Sequence, residues 1–191
     1  KVADYVDDVE FMLEYLTGKF GVRKVAMVGH SWGSIIGVLA AARRPDLLFA
    51  YVGEGQFVDG DCLSRYGGAI HGGKQGLVKG LLMPLLKTKE YSLADIVKYA
   101  QGATYLTDVM WPDVVGQRLS AIKSLDVPVV ITQGRHDYNT PSAIAKEWFD
   151  ALSAPAKKWV WFENSAHSPD VEEPEKWSAV LKEELSALAV K

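Results

Sequence analysis

The chain has 191 residues, of which 48% are hydrophobic and 24% charged, and its formal net charge at pH 7 is −3. This charge gives no electrostatic reason to bind nucleic acid, and the hydrophobic share is enough to build a core. No apolar stretch approaches the roughly 20 residues that span a bilayer. The single cysteine, Cys62, excludes an internal disulfide. These features predict a globular, cytoplasmic protein without a membrane span.

The first quarter of the chain alternates helical and strand patterns. Apolar residues recur at helical spacing over residues 2–16 and stop at Gly18, which predicts an amphipathic helix that ends there. The apolar run 25–28 predicts a buried strand, and the segment 33–44 predicts the helix that follows it. A second strand is predicted near residues 49–52. This order is typical of a βαβ unit with parallel strands.

A serine stands between the first predicted strand and the next helix, in the sequence Gly29-His30-Ser31-Trp32-Gly33. This pattern is typical of a nucleophile elbow, a turn that holds the serine in strained dihedral angles. We expect bulky side chains at Gly29 or Gly33 to collide with the packed strand and helix. The N–H of Trp32 lies at the amino end of the helix, where negative charge is favoured, so Trp32 is a candidate oxyanion donor.

The strand pattern disappears over residues 57–125, where glycines and helical segments replace it. Ser92 and Asp95 form a capping box that predicts the start of one helix. We interpret the segment as a helical cap inserted into a core made of residues 1–56 and 126–191, and we expect it to form a lid over Ser31. Apolar lid positions such as Leu81, Leu82 and Tyr105 would then influence which substrates bind.

The strand and helix pattern returns after residue 126. Strands are predicted near residues 127–131 and 158–162, with a helix over residues 141–152 between them. Thr140 is the expected N-cap of that helix, followed by proline at its first position. A last helix is predicted to begin at Pro174.

Two loops after these strands carry the residues that complete an acyl-transfer site. Asp137 follows the strand 127–131, and His167 follows the strand 158–162. In a triad, His167 would accept the proton of Ser31, while Asp137 would orient the imidazole and stabilise its charged form. The alternative for Asp137 is an ordinary Asx turn or helix cap.

The other three histidines fit the role of catalytic base less well. His30 occupies the variable position of the elbow, His136 adjoins the acid, and His71 lies in a glycine-rich segment outside the strand and loop pattern. We interpret them as packing or surface residues.

The order Ser31, Asp137, His167 and the sequences around these residues resemble the α/β-hydrolases, and more narrowly the proline-iminopeptidase-like branch. The resemblance covers most of the chain and rests on four segments: Val28-Gly29-His30-Ser31-Trp32-Gly33-Ser34, Tyr51-Val52-Gly53, Gln133-Gly134-Arg135-His136-Asp137-Tyr138-Asn139-Thr140-Pro141 and Trp161-Phe162-Glu163-Asn164-Ser165-Ala166-His167. It implies an α/β fold with a mostly parallel sheet between helices, and Ser31, Asp137 and His167 as nucleophile, acid and base.

The activity implied is that of a serine hydrolase that needs no cofactor or metal and forms an acyl-enzyme on Ser31. A peptidase of the aminopeptidase type on small or short-peptide substrates is favoured, with a carboxylesterase or lipase-like activity as the alternative. An aminopeptidase needs a carboxylate to hold the substrate ammonium group. Glu54, just beyond a predicted strand end, is a candidate for that substrate-binding role, and a solvated loop acid is the alternative.

The family usually has further strands before the first helix and a His-Gly-Gly-Pro-Gly-like loop that completes the oxyanion hole, and the sequence contains neither. We interpret His71-Gly72-Gly73 as a flexible loop and not as a replacement. The elbow strand is therefore expected at a sheet edge, which a partner chain, an oligomer or a longer form of the protein would cover. A non-catalytic fragment or binding module with an incomplete oxyanion hole is the second hypothesis.

Overall fold

A computed structural model describes residues 1–60 and 91–189, apart from the side chains at positions 100, 103, 104, 106 and 107. Helices and strands alternate along most of this part of the chain. Their bounds are α1 Val2–Phe20, β1 Val25–His30, α2 Gly33–Arg43, β2 Leu48–Glu54, α3 Leu93–Gly116, a 3₁₀ turn Leu119–Ala121, β3 Val129–Gly134, α4 Ser142–Ala151, β4 Lys157–Phe162, α5 Pro169–Glu172 and α6 Pro174–Ala189.

The four strands form one parallel sheet in the order β1-β2-β3-β4. The register pairs Val28 with Val52 and Val52 with Val130. The two central strands are almost entirely buried, which explains their continuous apolar sequence, whereas β1 and β4 are half exposed. Because all strands run the same way, their carboxyl ends meet at one edge of the sheet, as the sequence predicts.

Helix α1 extends beyond the predicted end at Gly18. It continues to Phe20 and ends at Gly21, which adopts left-handed dihedral angles (φ 64°, ψ 28°) and donates its N–H to the carbonyls of Gly18 and Thr17. Gly18 is tolerated inside the helix at a cost of about 1 kcal/mol, while the left-handed cap requires a residue such as Gly21. The prediction placed the helix end at the wrong glycine.

The two elbow glycines differ in the space around them. A Cβ atom at Gly29 would lie 2.8 Å from the carbonyl oxygen of Gly33 and 3.0 Å from the Cα atom of Ser34, so only glycine fits there. A Cβ atom at Gly33 would meet no atom within 4 Å. The predicted collision is therefore right for Gly29 and wrong for Gly33, because the first turn of α2 directs position 33 into open space.

Helix α4 begins one residue later than predicted. Its N-cap is Pro141 and its first residue is Ser142, and the side chain of Thr140 caps no helix. Instead, the Thr140 hydroxyl donates a hydrogen bond to Asp137 Oδ2 at 2.7 Å. The helix start shifts because Thr140 belongs to the acid loop. Helix α5, which precedes the predicted helix at Pro174, was not anticipated.

Part of the predicted cap, 57–125, lies outside the described residues, including Leu81, Leu82 and His71-Gly72-Gly73. Helix α3 begins with the predicted capping box, in which Ser92 Oγ accepts from the N–H of Asp95. Met110 and Val114 near the end of α3 are buried in the same core as β2 and β3. The boundaries of the cap, and its position over Ser31, stay predictions.

Strand β1 pairs only with β2 among the strands described, so it lies at the edge of the sheet as expected. Val28 on this strand is 45% exposed. Coverage of the edge by another chain stays a prediction. Within the described residues, no helix combines the length and apolarity needed to cross a membrane.

The glycine contacts predict opposite outcomes for two neighbouring substitutions. We expect Gly29→Ala to lower the free energy of unfolding by about 1–3 kcal/mol, because its methyl group overlaps backbone atoms that cannot move independently. Gly33→Ala is the matched control and should be neutral or slightly stabilising, since alanine favours the helix. Urea unfolding of both variants measures the difference, and equal values would contradict the close approach.

Candidate active site

The three predicted site residues lie together at the carboxyl edge of the sheet. His167 Nε2 is 2.8 Å from Ser31 Oγ, and His167 Nδ1 is 3.0 Å from Asp137 Oδ2. Ser31 follows β1, Asp137 follows β3 and His167 follows β4, so three loops far apart in sequence meet above the parallel strands. The arrangement can move a proton from the serine hydroxyl to the imidazole.

The backbone of Ser31 is held in the left-handed region. Its φ is 57°, and it is the only non-glycine residue with positive φ in the described chain. The N–H of Ser31 donates to the carbonyl of Glu54 at 3.0 Å, and its carbonyl accepts from the Ser34 N–H at 2.9 Å. The left-handed conformation of Ser31 costs about 1–3 kcal/mol, and these hydrogen bonds stabilise it. In this conformation the serine hydroxyl lies above the carboxyl edge of the sheet. The expected elbow geometry is thus present.

Trp32 is the N-cap of α2 and stands next to the serine. Its N–H donates to no acceptor within the described residues and lies at the amino end of the helix. The indole ring packs edge-on against Tyr5, with 5.5 Å between the ring centroids. An anionic oxygen next to Ser31 would find a free donor at this position.

Asp137 is enclosed in its loop, and its side chain is fully buried. Its Oδ1 accepts from the N–H groups of Asn139 and Thr140 at 2.9 and 3.0 Å. Its Oδ2 accepts from the Thr140 hydroxyl and from Gln133 Nε2, in addition to its contact with His167. The carboxylate therefore forms the Asx-type turn that the sequence offered as the alternative role of Asp137. It also contacts the imidazole of His167.

The histidine loop is anchored by two glutamates around the end of α5. Glu172 accepts from the Ala166 N–H at 2.6 Å, and Glu173 accepts from the Ser165 hydroxyl at 2.6 Å. Arg135 of the acid loop forms two hydrogen bonds with Glu163, at 2.7 and 2.9 Å, which connects the acid and histidine loops. These contacts restrict the position of His167 relative to Asp137.

His30 contacts the site more directly than the sequence indicated. Its Nε2 is 2.8 Å from the carbonyl oxygen of His167, so the ring donates to that carbonyl, and the two imidazole centroids are 4.9 Å apart. The interpretation as a packing residue missed this contact. The position of His30 next to Ser31 indicates that it lies near the site. The sequence gives no sign of the contact itself, because His167 is 137 residues away.

Glu54 is the last residue of β2, whereas the sequence predicted that it lies just beyond the end of the strand. Only 2% of the residue is exposed, and its Oε1 accepts from the Asp170 N–H at 2.8 Å. Burial raises the pKa of Glu54 to about 8, against the lowering effect of the Asp170 N–H. A buried acid that is largely uncharged at neutral pH is poorly suited to hold an ammonium group. The alternative of a solvated loop acid is therefore wrong, and a substrate-binding role of Glu54 stays a prediction.

Among the residues described, no group of three or more His, Cys, Asp or Glu side chains is arranged to hold a metal ion.

Comparison with known proteins agrees with this architecture. Residues 1–180 match the model of the alpha/beta hydrolase family. The chain is 26% identical over 227 aligned residues to the probable aminopeptidase YbaC of Bacillus subtilis (strain 168), covering 93% of this chain and 70% of that protein.

Two solved structures show the same fold at low identity. The proline iminopeptidase of Mycobacterium smegmatis matches with a TM-score of 0.65 and 16% identity, over 100% of this chain and 73% of that one. The monoacylglycerol lipase of Paleococcus ferrophilus matches with the same TM-score and identity, over 96% and 76%. The chain belongs to the alpha/beta hydrolase family, and it is a hydrolase.

The raised pKa of Glu54 predicts a pH-dependent stability. Between about pH 4.5 and 8 the unfolded state releases the Glu54 proton while the folded state retains it, so stability falls as the pH rises. Glu54→Gln removes this dependence and keeps an oxygen for the Asp170 N–H. We expect the variant to gain on the order of a few kcal/mol over the native protein between pH 5 and 8.

Urea unfolding at several pH values measures this gain. The exposed Glu183 provides the control, and Glu183→Gln should follow the native protein across the whole range. A constant difference between Glu54→Gln and the native protein would show that Glu54 is already ionised in the fold.

Proposed function

We propose that the protein is a serine hydrolase that uses Ser31 as nucleophile, His167 as general base and acid, and Asp137 as the orienting carboxylate. The observation that carries this proposal is the continuous contact from Asp137 Oδ2 through both ring nitrogens of His167 to Ser31 Oγ. The left-handed backbone of Ser31 supports it independently, because the strain is stored where a nucleophile must be exposed.

The reaction proceeds through an acyl-enzyme. Ser31 Oγ attacks the substrate carbonyl carbon while His167 Nε2 accepts the hydroxyl proton, and Asp137 stabilises the imidazolium through Nδ1–H. His167 then gives the proton to the leaving amine or alcohol. Water attacks the ester on Ser31, its proton passes to Nε2, and the acid product leaves with the serine restored.

The N–H of Trp32 serves as one oxyanion donor. This role is supported by its position after the nucleophile, at the amino end of α2, and by the lack of a protein acceptor among the described residues. Losing one donor of an oxyanion hole costs about a hundredfold to a thousandfold in rate, so a second donor decides between a full enzyme and a weakly active one.

An aminopeptidase acting on small substrates is the activity that the relatives favour, since the probable aminopeptidase YbaC aligns with 93% of this chain. The fold alone does not separate this activity from that of an esterase, because a proline iminopeptidase and a lipase match equally well. Glu54 is not included as the ammonium anchor, because it is buried.

Labelling with a fluorophosphonate tests the nucleophile. We expect rapid modification at Ser31, located by peptide mapping, and no modification of Ser31→Ala. In turnover of an activated ester, Ser31→Ala and His167→Ala should each remove nearly all activity, and the double variant should lose little more, because the pair acts as one unit.

Circular dichroism of each variant verifies that it is folded. A folded native protein that resists labelling would support the second hypothesis, a binding module without catalysis. Additive losses in the double variant would argue against a shared proton-transfer unit.

The substrate class is tested with paired acyl derivatives. We expect hydrolysis of an amino-acid p-nitroanilide with a free amino group, and a loss of about tenfold or more in kcat/KM when that amino group is acetylated, since an aminopeptidase site binds the ammonium. An equal or better rate on the acetylated compound, together with fast cleavage of p-nitrophenyl butyrate, would assign an esterase.

A further inference from the structure

Beneath the active site lies a hydrogen-bonded network of which the reaction scheme uses only Asp137. In the described part of the chain, eight polar or charged residues are buried, and five of them belong to this one network together with the buried Tyr51. The five are Ser34, Gln56, Gln133, Asp137 and Thr140. Polar groups are costly to bury unless every donor and acceptor is paired, so a network of this size needs a reason.

Gln133, the fifth residue of β3, is fully buried and uses its whole amide. Its Oε1 accepts from the Gln56 N–H at 3.0 Å, and its Nε2 donates to Asp137 Oδ2 at 3.0 Å and to the Thr140 carbonyl at 3.2 Å. Rotating the amide by 180° would place its oxygen against two acceptors. The side chain therefore has one possible orientation, and that orientation directs a donor at the carboxylate.

Gln56 makes the corresponding connection to the elbow. Its Nε2 donates to Ser34 Oγ at 3.1 Å and to the Phe57 carbonyl at 2.6 Å, while its Oε1 accepts from the Tyr51 hydroxyl at 2.8 Å. The Ser34 hydroxyl donates in turn to the carbonyl of Ser31 at 2.5 Å. Gln56 thus reaches the backbone of the nucleophile through one intermediate residue.

Together with the site contacts, these bonds close a ring. Its members, in order of contact, are Ser31, Ser34, Gln56, Gln133, Asp137 and His167. The ring joins the elbow after β1, the loop after β2, strand β3 and the histidine loop. Backbone hydrogen bonds also cross between neighbouring segments here, such as that from the Ser31 N–H to the Glu54 carbonyl. The side-chain ring adds a connection from the elbow to the acid, which are two strands apart in the sheet.

We infer that Gln133 is a positioning residue for the hydrolytic reaction. Its side-chain amide holds Asp137 Oδ2 in hydrogen-bonding position to His167 Nδ1. This inference rests on the proposed function of Ser31, His167 and Asp137. Within the described residues, the Gln133 side chain forms no hydrogen bond with Ser31 or the imidazole, so it acts through the carboxylate.

The physical basis is the number of donors at one oxygen. Asp137 Oδ2 faces Gln133 Nε2, the Thr140 hydroxyl and His167 Nδ1. Gln133 and Thr140 both hold the carboxylate by donating to this oxygen. Of these two residues, only Gln133 lies on a strand of the sheet. Without its amide, the carboxylate is held by its own loop, and the Gln56 N–H is left buried without its acceptor.

Three variants separate positioning from a purely structural role. Gln133→Leu removes both the donor and the acceptor. Gln133→Glu keeps an oxygen for the Gln56 N–H and replaces the donor by a carboxyl that can donate only when protonated. Thr132→Val is the matched control, since Thr132 is equally buried on the same strand and donates only a 3.4 Å bond to the Gly53 carbonyl.

We expect Gln133→Leu to lower kcat on an activated ester by on the order of a hundredfold, with KM nearly unchanged, because small misplacements of a catalytic group cost this much. Thr132→Val should retain the native kcat. Concentrations are normalised to the folded fraction from circular dichroism. A native kcat in folded Gln133→Leu would overturn the inference.

Gln133→Glu provides the readout that a structural role would not change. The titratable groups of the network are Asp137, His167 and Tyr51, and burial raises the pKa of Tyr51 far enough that it stays neutral. Burial beside Asp137 raises the pKa of the introduced carboxyl. We expect the ratio of variant to native kcat to fall by about tenfold between pH 6 and 9, as the carboxyl loses its proton. A ratio independent of pH would contradict the inference.

Proton NMR separates failure of this inference from failure of the proposed function. The proton between His167 Nδ1 and Asp137 gives a downfield resonance whether or not the protein turns over substrate. We expect the native protein and Thr132→Val to share its position, and Gln133→Leu to shift or lose it. An unchanged resonance in Gln133→Leu would reject the positioning role. Absence of labelling at Ser31 alongside a shifted resonance would reject the hydrolase mechanism alone.

Discussion

The site depends on the left-handed backbone of Ser31. This conformation costs free energy, and two features stabilise it: the hydrogen bond from its N–H to the Glu54 carbonyl, and the close packing of Gly29 against the first turn of α2. The first bond crosses from β1 to β2, so the position of the serine is tied to the register of the sheet. A shift of one residue in that register would remove the acceptor and redirect the hydroxyl.

Parallel pairing then determines which loops can reach the serine. The strands follow the sheet in chain order, and each leaves it at the same edge. Asp137 and His167 reach Ser31 from β3 and β4, across the end of β2, where Glu54 and Gln56 are buried. The polar groups at this position are paired with one another below the site.

The buried acid and the buried amides differ in what they contribute. Glu54 carries a raised pKa and holds the N–H of Asp170, so its burial lowers stability as the pH rises. Gln56 and Gln133 carry no charge, and each donor and acceptor atom of their side-chain amides has a hydrogen-bond partner. Neutral amides are therefore the side chains that connect the elbow to the acid without adding charge beside the carboxylate.

The sequence by itself determined the fold class, the elbow around Ser31 and the identities of the acid and base candidates, because these depend on local patterns: apolar runs, turn residues and the order Ser, Asp, His. Helix ends were predicted less well, as at Gly18 and Thr140, since a cap depends on which partner a side chain finds. Only the tertiary structure decided the burial of Glu54, the contact of His30 with the His167 carbonyl, and the ring through Gln133. Each of these depends on contacts between segments that lie far apart in the sequence, and sequence spacing carries no information about the distances between such segments.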